Sequence, residues 1–148
     1  MAIEWGLLNM QSSMSHVVLD PSGQPPSTVL IAGQPFQVRV NFNVPPVLAS
    51  LIGPGDTFRI RAYAESQGPG QEVQIGQVVV TGVPNQVAYV GIVTVNPNPL
   101  LGEDQLFNGQ AVSGLYKIVV VLQHLNGNVP TVHSGNSDTD PMVFFRAP

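Results

Sequence analysis

Residues 111–123 read AVSGLYKIVVVLQ, a Gly-x-Tyr step that runs directly into a series of β-branched residues. The step consists of Gly114, Leu115 and Tyr116. β-Branched side chains favour extended backbone because they pack well on a pleated surface. The segment therefore predicts a long strand that opens at a tyrosine.

The rest of the chain repeats this pattern of short strands between turn residues. Fourteen prolines and fifteen glycines interrupt the sequence, and the segments between them alternate with a period of two. A shift of the apolar phase predicts a β-bulge near Gly76. Strands are predicted at residues 36–44, 57–65, 72–81, 86–95, 115–125 and 142–146, with one more within residues 3–19.

The Tyr116 step resembles the tyrosine corner of immunoglobulin-like sandwiches, where a tyrosine opening the penultimate strand bonds its hydroxyl to upstream backbone. With about seven strands, the whole chain resembles the immunoglobulin-like and fibronectin-III-like β-sandwich superfold, and no single family within it. The resemblance implies an all-β fold, a single immunoglobulin-like Greek-key sandwich. Proline and glycine signals predict one or two short helical turns in its loops, within residues 44–55 and 96–107.

Length and composition limit the classes of protein to consider. A chain of 148 residues is expected to form one domain, residues 1–148, with a single core. Charged residues make up 9% of the chain, against about 25% in average globular proteins. With five basic residues and a net charge of −4, no nucleic-acid partner is expected. The absence of cysteine excludes disulfides and thiol chemistry.

The sequence also gives expectations about location. Its beginning lacks the basic leader and apolar stretch of a Sec signal peptide. No run approaches the ~20 apolar residues of a spanning helix, so no membrane insertion is expected. A cytoplasmic location, a place within a particle or leaderless export is predicted.

No residue pattern predicts catalysis. The three histidines are not clustered in sequence, and the adjacent Glu103 and Asp104 diverge rather than converge as a catalytic carboxylate pair does. Calcium is the one cofactor left open, with Asn136, Asp138 and Asp140 as candidate ligands. That segment lacks the glycine and glutamate of an EF-hand loop and is equally typical of an Asx-rich turn. No catalytic residue and no cofactor are therefore predicted.

Several predicted strands are apolar on both faces, although a strand in a two-layer sandwich buries only one. On the last two strands the outer rows are expected to merge into an interface. Its candidate residues are Val119, Val121, Val143 and Phe145. An N-terminal segment or a long loop folded over these rows is the alternative. The strand predicted at residues 86–95 is also apolar on both faces, which predicts a second interface.

The two long loops carry leucines that allow two interpretations. Either each loop closes one end of the sandwich and buries its leucines, or it contacts a partner. The candidate contacts are Leu48, Leu51, Leu100 and Leu101.

These patterns favour a non-catalytic structural or assembly subunit, or a surface module, that acts through protein–protein contacts in self-assembly, particle decoration or adhesion. A homo-oligomer or a larger assembly is expected. The alternative is a ligand-binding module, most plausibly for carbohydrate, in which aromatic rings stack on sugars. Its candidate residues are Trp5, Arg59, Arg61 and Tyr63. An enzyme is not expected, because no base and nucleophile pair is evident.

Overall fold

A computed structural model describes residues 2–4, 11–23, 28–137 and 142–148 of the chain, which is predominantly β-strand there. The strands are β1 (Ala2–Glu4), β2 (Gln11–Leu19), β3 (Val29–Ile31), β4 (Phe36–Asn43), β5 (Asp56–Ser66), β6 (Glu72–Thr81), β7 (Ala88–Val95), β8 (Leu106–Phe107), β9 (Gln110–Ala111), β10 (Leu115–Asn126), β11 (Val129–Ser137) and β12 (Val143–Arg146). One short helix, α1 (Pro46–Leu51), occurs within these residues. The predicted all-β class is confirmed. Nowhere in the described ranges is a helix long and apolar enough to cross a membrane.

Strict alternation of burial marks β4, β5 and β10, the strands that the period of two predicts most clearly. Removing apolar side chains from water contributes about 25 cal/mol per Å² of buried surface, so each inward row holds its strand on the core. The inward rows are Phe36, Val38, Val40 and Phe42 on β4, Phe58, Ile60, Ala62 and Ala64 on β5, and Tyr116, Ile118, Val120 and Leu122 on β10.

Most strands pair antiparallel along one path, β6–β5–β10–β11–β1–β2–β4–β7. The edge of β10 that faces away from β5 pairs with two strands. Strand β12 pairs there with Leu115 and Tyr116, and β11 pairs from Val120 onward. Beyond β12 lies β3, in a parallel pair. Strands β8 and β9 form a separate small hairpin.

The path folds into two layers that face each other across the core. Phe58 of β5 contacts Phe42 of β4 and Tyr89 of β7, with ring centroids 5.3 and 5.1 Å apart. Phe36 of β4 contacts Phe145 of β12 at 5.4 Å. Strands β2, β4 and β7 therefore pack against β5, β10 and β12, and β1 joins the layers along one side.

On the other side, glycines allow β6 and β7 to approach each other. A Cβ at Gly76 of β6 would lie 2.7 Å from Cγ1 of Val93 on β7. The register of β5 with β6 shifts here, since Ala62 lies opposite Gly76 but Tyr63 lies opposite Gln74. The predicted bulge near Gly76 is confirmed, and it coincides with a close approach of β6 to β7.

The two long loops differ from each other. Helix α1 is the predicted turn in residues 44–55, with Pro46 in its first turn and Gly53 directly after its C-cap. In residues 96–107 the predicted helical turn is wrong. Their backbone is held instead by side chains, because Oδ1 of Asn98 accepts from the amide of Leu100 and the Tyr116 hydroxyl binds Leu101.

Tyr116 bonds to upstream backbone, as a tyrosine corner does. Its hydroxyl donates to the carbonyl oxygen of Leu101 at 2.9 Å and accepts from the Leu101 amide at 3.2 Å. Burial raises the pKa of the Tyr116 hydroxyl above its usual value, against the opposing effect of the Leu101 bond. The hydroxyl therefore stays protonated and attaches the loop to β10.

Strand β11 was not predicted. It follows β10 through a two-residue turn, Gly127 and Asn128, whose φ angles of 56° and 65° are both left-handed. This geometry is typical of type I′ hairpins, and a Gly-Asn pair between strand residues is a signal for it. The polar composition of residues 131–137 concealed the strand, since it lacks the expected apolar alternation.

Candidate interaction surfaces

The interface predicted on the last two strands is partly wrong. Val143 and Phe145 are 1% and 0% exposed and belong to the core, while Phe144 takes the outward position. Because β12 pairs with β10 only at Leu115 and Tyr116, its outer row cannot merge with the whole of β10. The physical reason is that β12 lies beside the start of β10 and β11 occupies the remaining edge.

The loop leucines divide between the two interpretations. Leu48 and Leu100 are buried at 4% and 2% exposure, so they close the core and are not available to a partner. Leu51 is 67% exposed at the end of α1. Leu101 is half-buried, with its backbone bound by the Tyr116 hydroxyl.

An exposed apolar row lies instead on β7. We name Ala88, Val90, Ile92 and Thr94 the β7 row. Val90 and Ile92 are 56% and 45% exposed, and none of the four carries a charge. Their cross-strand neighbours on β4 are uncharged apart from Arg39, which lies opposite Ile92. This row is the second face that the doubled apolarity of residues 86–95 predicts.

A second surface lies on the outer side of β5 and β10. We name it the arginine face: Arg59, Arg61 and Tyr63 of β5 with Val119 and Val121 of β10. Cross-strand pairing places Arg61 beside Val121 and Tyr63 beside Val119. All five side chains are half-buried. Three of the four residues proposed for ligand binding are thus brought together, while Trp5 lies outside the described residues.

The two arginines of this face lack a nearby countercharge among the described residues. Arg59 donates from Nη2 to Oε1 of Gln123 at 2.6 Å, and the buried Nε atoms of Arg59 and Arg61 have no hydrogen-bond partner there. The next carboxylate of the same row, Glu65, is four residues beyond Arg61, about 13 Å along the strand. That separation exceeds the Debye length of about 8 Å at physiological ionic strength, so screening leaves the arginines electrostatically uncompensated.

A shallow groove borders the arginine face. It is lined by Tyr63, Glu65, Glu72, Gln74 and Val119, together with neighbouring strand backbone. Aromatic rings can stack on the faces of sugars, and carboxylate and amide oxygens can accept hydrogen bonds from sugar hydroxyls. The groove brings both kinds of group together.

A buried polar cluster lies at the far end of the same sheet. Oδ1 of Asp56 accepts from Nε2 of His124 at 2.9 Å and from Nδ2 of Asn126 at 2.9 Å. Oδ2 of Asp56 accepts from the amide of Gly53 at 2.8 Å. Nδ1 of His124 lies 3.0 Å from Oγ1 of Thr131. The cluster ties β5, β10 and β11 together.

Burial and hydrogen bonding shift the pKa values in this cluster. Burial alone would raise the pKa of Asp56, but the bonds from Asn126, Gly53 and His124 outweigh it and lower that pKa. Burial lowers the pKa of His124 despite the opposing effect of Asp56. At neutral pH, Asp56 is therefore ionised and His124 is neutral, with its proton on Nε2 toward the carboxylate.

The order of groups is that of an acid–histidine–hydroxyl relay, such as hydrolases use. Here His124 is only 6% exposed, and Oγ1 of Thr131 also lies 3.1 Å from the carbonyl oxygen of His124. These hydrogen bonds therefore stabilise the β10–β11 hairpin. Reasoning from the sequence missed the cluster, because Asp56 and His124 are 68 residues apart.

The calcium candidates are only partly described. Asn136 is exposed on β11, and Asp138 and Asp140 lie outside the described residues. Within residues 2–4, 11–23, 28–137 and 142–148, no three histidine, aspartate or glutamate side chains are grouped as metal ligands.

Comparison with known proteins adds no family to these observations. No protein-family model matches the sequence, and no curated protein matches it significantly.

Proposed function

We propose that this protein is a non-catalytic structural subunit that works by association with copies of itself within a larger assembly. The observation that carries the proposal is the β7 row, a line of exposed apolar side chains on a strand whose other side is core. Contiguous exposed apolar surface is typical of protein–protein contacts and is a liability in a solitary monomer.

We further propose that the chain forms one immunoglobulin-like Greek-key sandwich. Two features support this: a tyrosine that opens β10 and bonds to upstream backbone, and two antiparallel layers that meet across an aromatic core. Sandwiches of this kind are common in non-catalytic binding and structural proteins, although the fold alone does not specify a function.

The test is the absolute mass of the purified protein across a concentration series, measured by light scattering after size exclusion. A discrete oligomer or polymer is expected. The variant V90K/I92K, which introduces two charges into the row, should lower the mass. At a concentration too low for assembly, its urea unfolding midpoint should equal that of the original protein, because the two side chains are exposed.

The control is S50K, which adds a charge at an exposed position of α1, outside the β7 row. It should preserve the mass. A 15.7 kDa monomer at every concentration would contradict the proposal.

A carbohydrate-binding module is the second candidate, and the groove beside Tyr63 favours it. In that case Y63A would abolish the NMR shift changes that an oligosaccharide panel induces on β5 and β6, while Y89F, altered on the core side, would retain them. A protein that is monomeric and shows such changes would replace the assembly proposal with this one.

A further inference from the structure

The arginine face has a complementary surface elsewhere on the same chain. Residues 103–111, which we name the acidic hairpin, contain Glu103, Asp104 and strands β8 and β9. Asp104 is exposed, and Leu106 is 67% exposed beside it. The hairpin therefore presents carboxylates next to an apolar side chain, whereas the arginine face presents guanidinium groups next to valines.

The acidic hairpin is held in a defined position. The amide of Glu103 donates to the Phe145 carbonyl at 2.9 Å, and the amide of Asp104 donates to the Val112 carbonyl at 3.0 Å. Beneath it, a Cβ at Gly102 would lie 2.6 Å from the backbone of Arg146, so the loop is packed directly on β12. A segment ordered before binding loses little conformational entropy when it docks.

The two surfaces lie toward opposite ends of β10. The acidic hairpin leads into β10 near Tyr116, whose hydroxyl binds the same loop, whereas Arg59 is paired with Gln123. Gln123 is seven residues beyond Tyr116, about 23 Å along the strand at about 3.3 Å per residue. This separation favours docking on a second copy over contact within one chain.

We infer that the acidic hairpin of one copy docks on the arginine face of a second copy. Glu103 and Asp104 lie opposite Arg59 and Arg61, and Leu106 packs against Val119 and Val121. The inference rests on the proposed assembly function and specifies one of its contacts. Docked reciprocally about a two-fold axis, the two surfaces close a dimer. Docked head to tail, the contact is heterologous and repeats from copy to copy into a ring or a filament.

Charge complementarity carries this inference. Along their own row of β5, Arg59 and Arg61 have no carboxylate within a Debye length, and a partner carboxylate supplies the missing countercharge. Arginine is suited to this role because its planar group pairs with carboxylates through two hydrogen bonds. The apolar residues on each side exclude water and strengthen the pairing.

The test is a charge exchange between two variants, R59E/R61E and E103R/D104R. Each variant alone should have lower particle mass than the original protein, by light scattering and sedimentation velocity, because its two surfaces carry like charges. A 1:1 mixture should recover the mass, since each surface then meets its opposite on the other variant. We expect the association constant of each variant to fall at least about tenfold, and rising salt to weaken the original contact.

Circular dichroism and urea unfolding establish that both variants are folded, and the recovery on mixing demonstrates it independently. The two variants change the net charge by −4 and +4, so a loss of mass that both share does not follow from net charge alone. If the original protein assembles and both variants assemble equally well, the inference is overturned while the proposed function stands. If only R59E/R61E is impaired and mixing restores nothing, the face binds another anionic group and the inference is also overturned. A monomeric original protein overturns both.

Discussion

The Tyr116 hydroxyl joins a long loop to β10, a strand with hydrogen-bonded neighbours on both edges. Replacing Tyr116 by Phe removes its bonds to the amide and carbonyl of Leu101. The amide keeps its bond to Oε1 of Gln71 at 3.1 Å, whereas the carbonyl oxygen loses the Tyr116 donor at the edge of the core. Unpaired buried polar groups cost about 1–3 kcal/mol each, so we expect Y116F to lose about 2 kcal/mol of unfolding free energy in urea titrations. The control, Y63F, changes a half-buried ring on the outer face and should cost less than about 0.5 kcal/mol. Equal losses in the two variants would contradict this role for Tyr116.

The buried His124 makes stability depend on pH. Since the folded-state pKa of His124 is lowered, the unfolded chain takes up a proton more readily than the folded chain once the pH falls below the ordinary value of 6.5. The free energy of unfolding is therefore highest above that pH and declines as the pH falls from 6.5 toward the lowered folded-state pKa.

Asp56 adds a further loss at lower pH. Its pKa is also lowered, so its contribution is present above the ordinary value of 3.8 and is lost as the pH falls through the folded-state pKa. H124Q should be less stable at pH 7 and should show a flatter profile between pH 7 and 5, measured by urea titrations at fixed ionic strength. An unchanged slope in H124Q would show that another group causes the acid sensitivity.

At the scale of elements, the start of β10 depends on one close approach of backbone segments. Gly114 has φ +77°, and a Cβ there would lie 2.6 Å from the Phe145 carbonyl oxygen and 2.7 Å from the Glu103 amide nitrogen. Gly109 has nearly the same φ, +80°, with nothing within 4 Å of its Cβ position. G109A should therefore cost only the left-handed conformation, about 1–2 kcal/mol.

G114A should cost at least about 2 kcal/mol more than G109A, because backbone atoms cannot move aside as a flexible side chain can. Urea unfolding of the two variants measures the difference. Equal losses of unfolding free energy in the two variants would mean that the backbone at Phe145 and Glu103 moves away from Gly114 at little cost.

At the scale of the whole molecule, the sheet order predicts where the fold opens first. Strands β5 and β10 have hydrogen-bonded neighbours on both edges, whereas β8 and β9 pair only with each other among the described strands. Amides of β5 and β10 should exchange with solvent only through global unfolding, and those of β8 and β9 through local opening. NMR hydrogen exchange, measured at a protein concentration too low for assembly, should give amide exchange rates for the two pairs of strands that differ by several orders of magnitude. Equal exchange rates in all four strands would contradict this prediction, because they would mean that β8 and β9 open only when the whole molecule unfolds.

How much of this structure follows from the sequence depends on the range of the interaction. Alternation in β4, β5 and β10, the bulge near Gly76 and the proline-initiated α1 were predicted because each rests on neighbouring residues. The Gly-Asn signal for β11 was present but went unread, since polar residues follow it. In residues 96–107, local proline and glycine signals favoured a helical turn, but the side chains of Asn98 and of Tyr116 on β10 hold the backbone in another conformation.

The candidate surfaces show the same limit. The sequence by itself determined that the chain is β-rich, that some strands are apolar on both faces, and that Arg59, Arg61 and Tyr63 share one side of a strand. Only the tertiary structure decided which apolar row faces water, because a period of two assigns residues to two faces without saying which is inward. It buried Val143 and Phe145 beside Phe36 and Tyr116, left Val90 and Ile92 exposed, and joined Asp56 to His124. These outcomes depend on contacts between residues far apart in the chain, which no local pattern encodes.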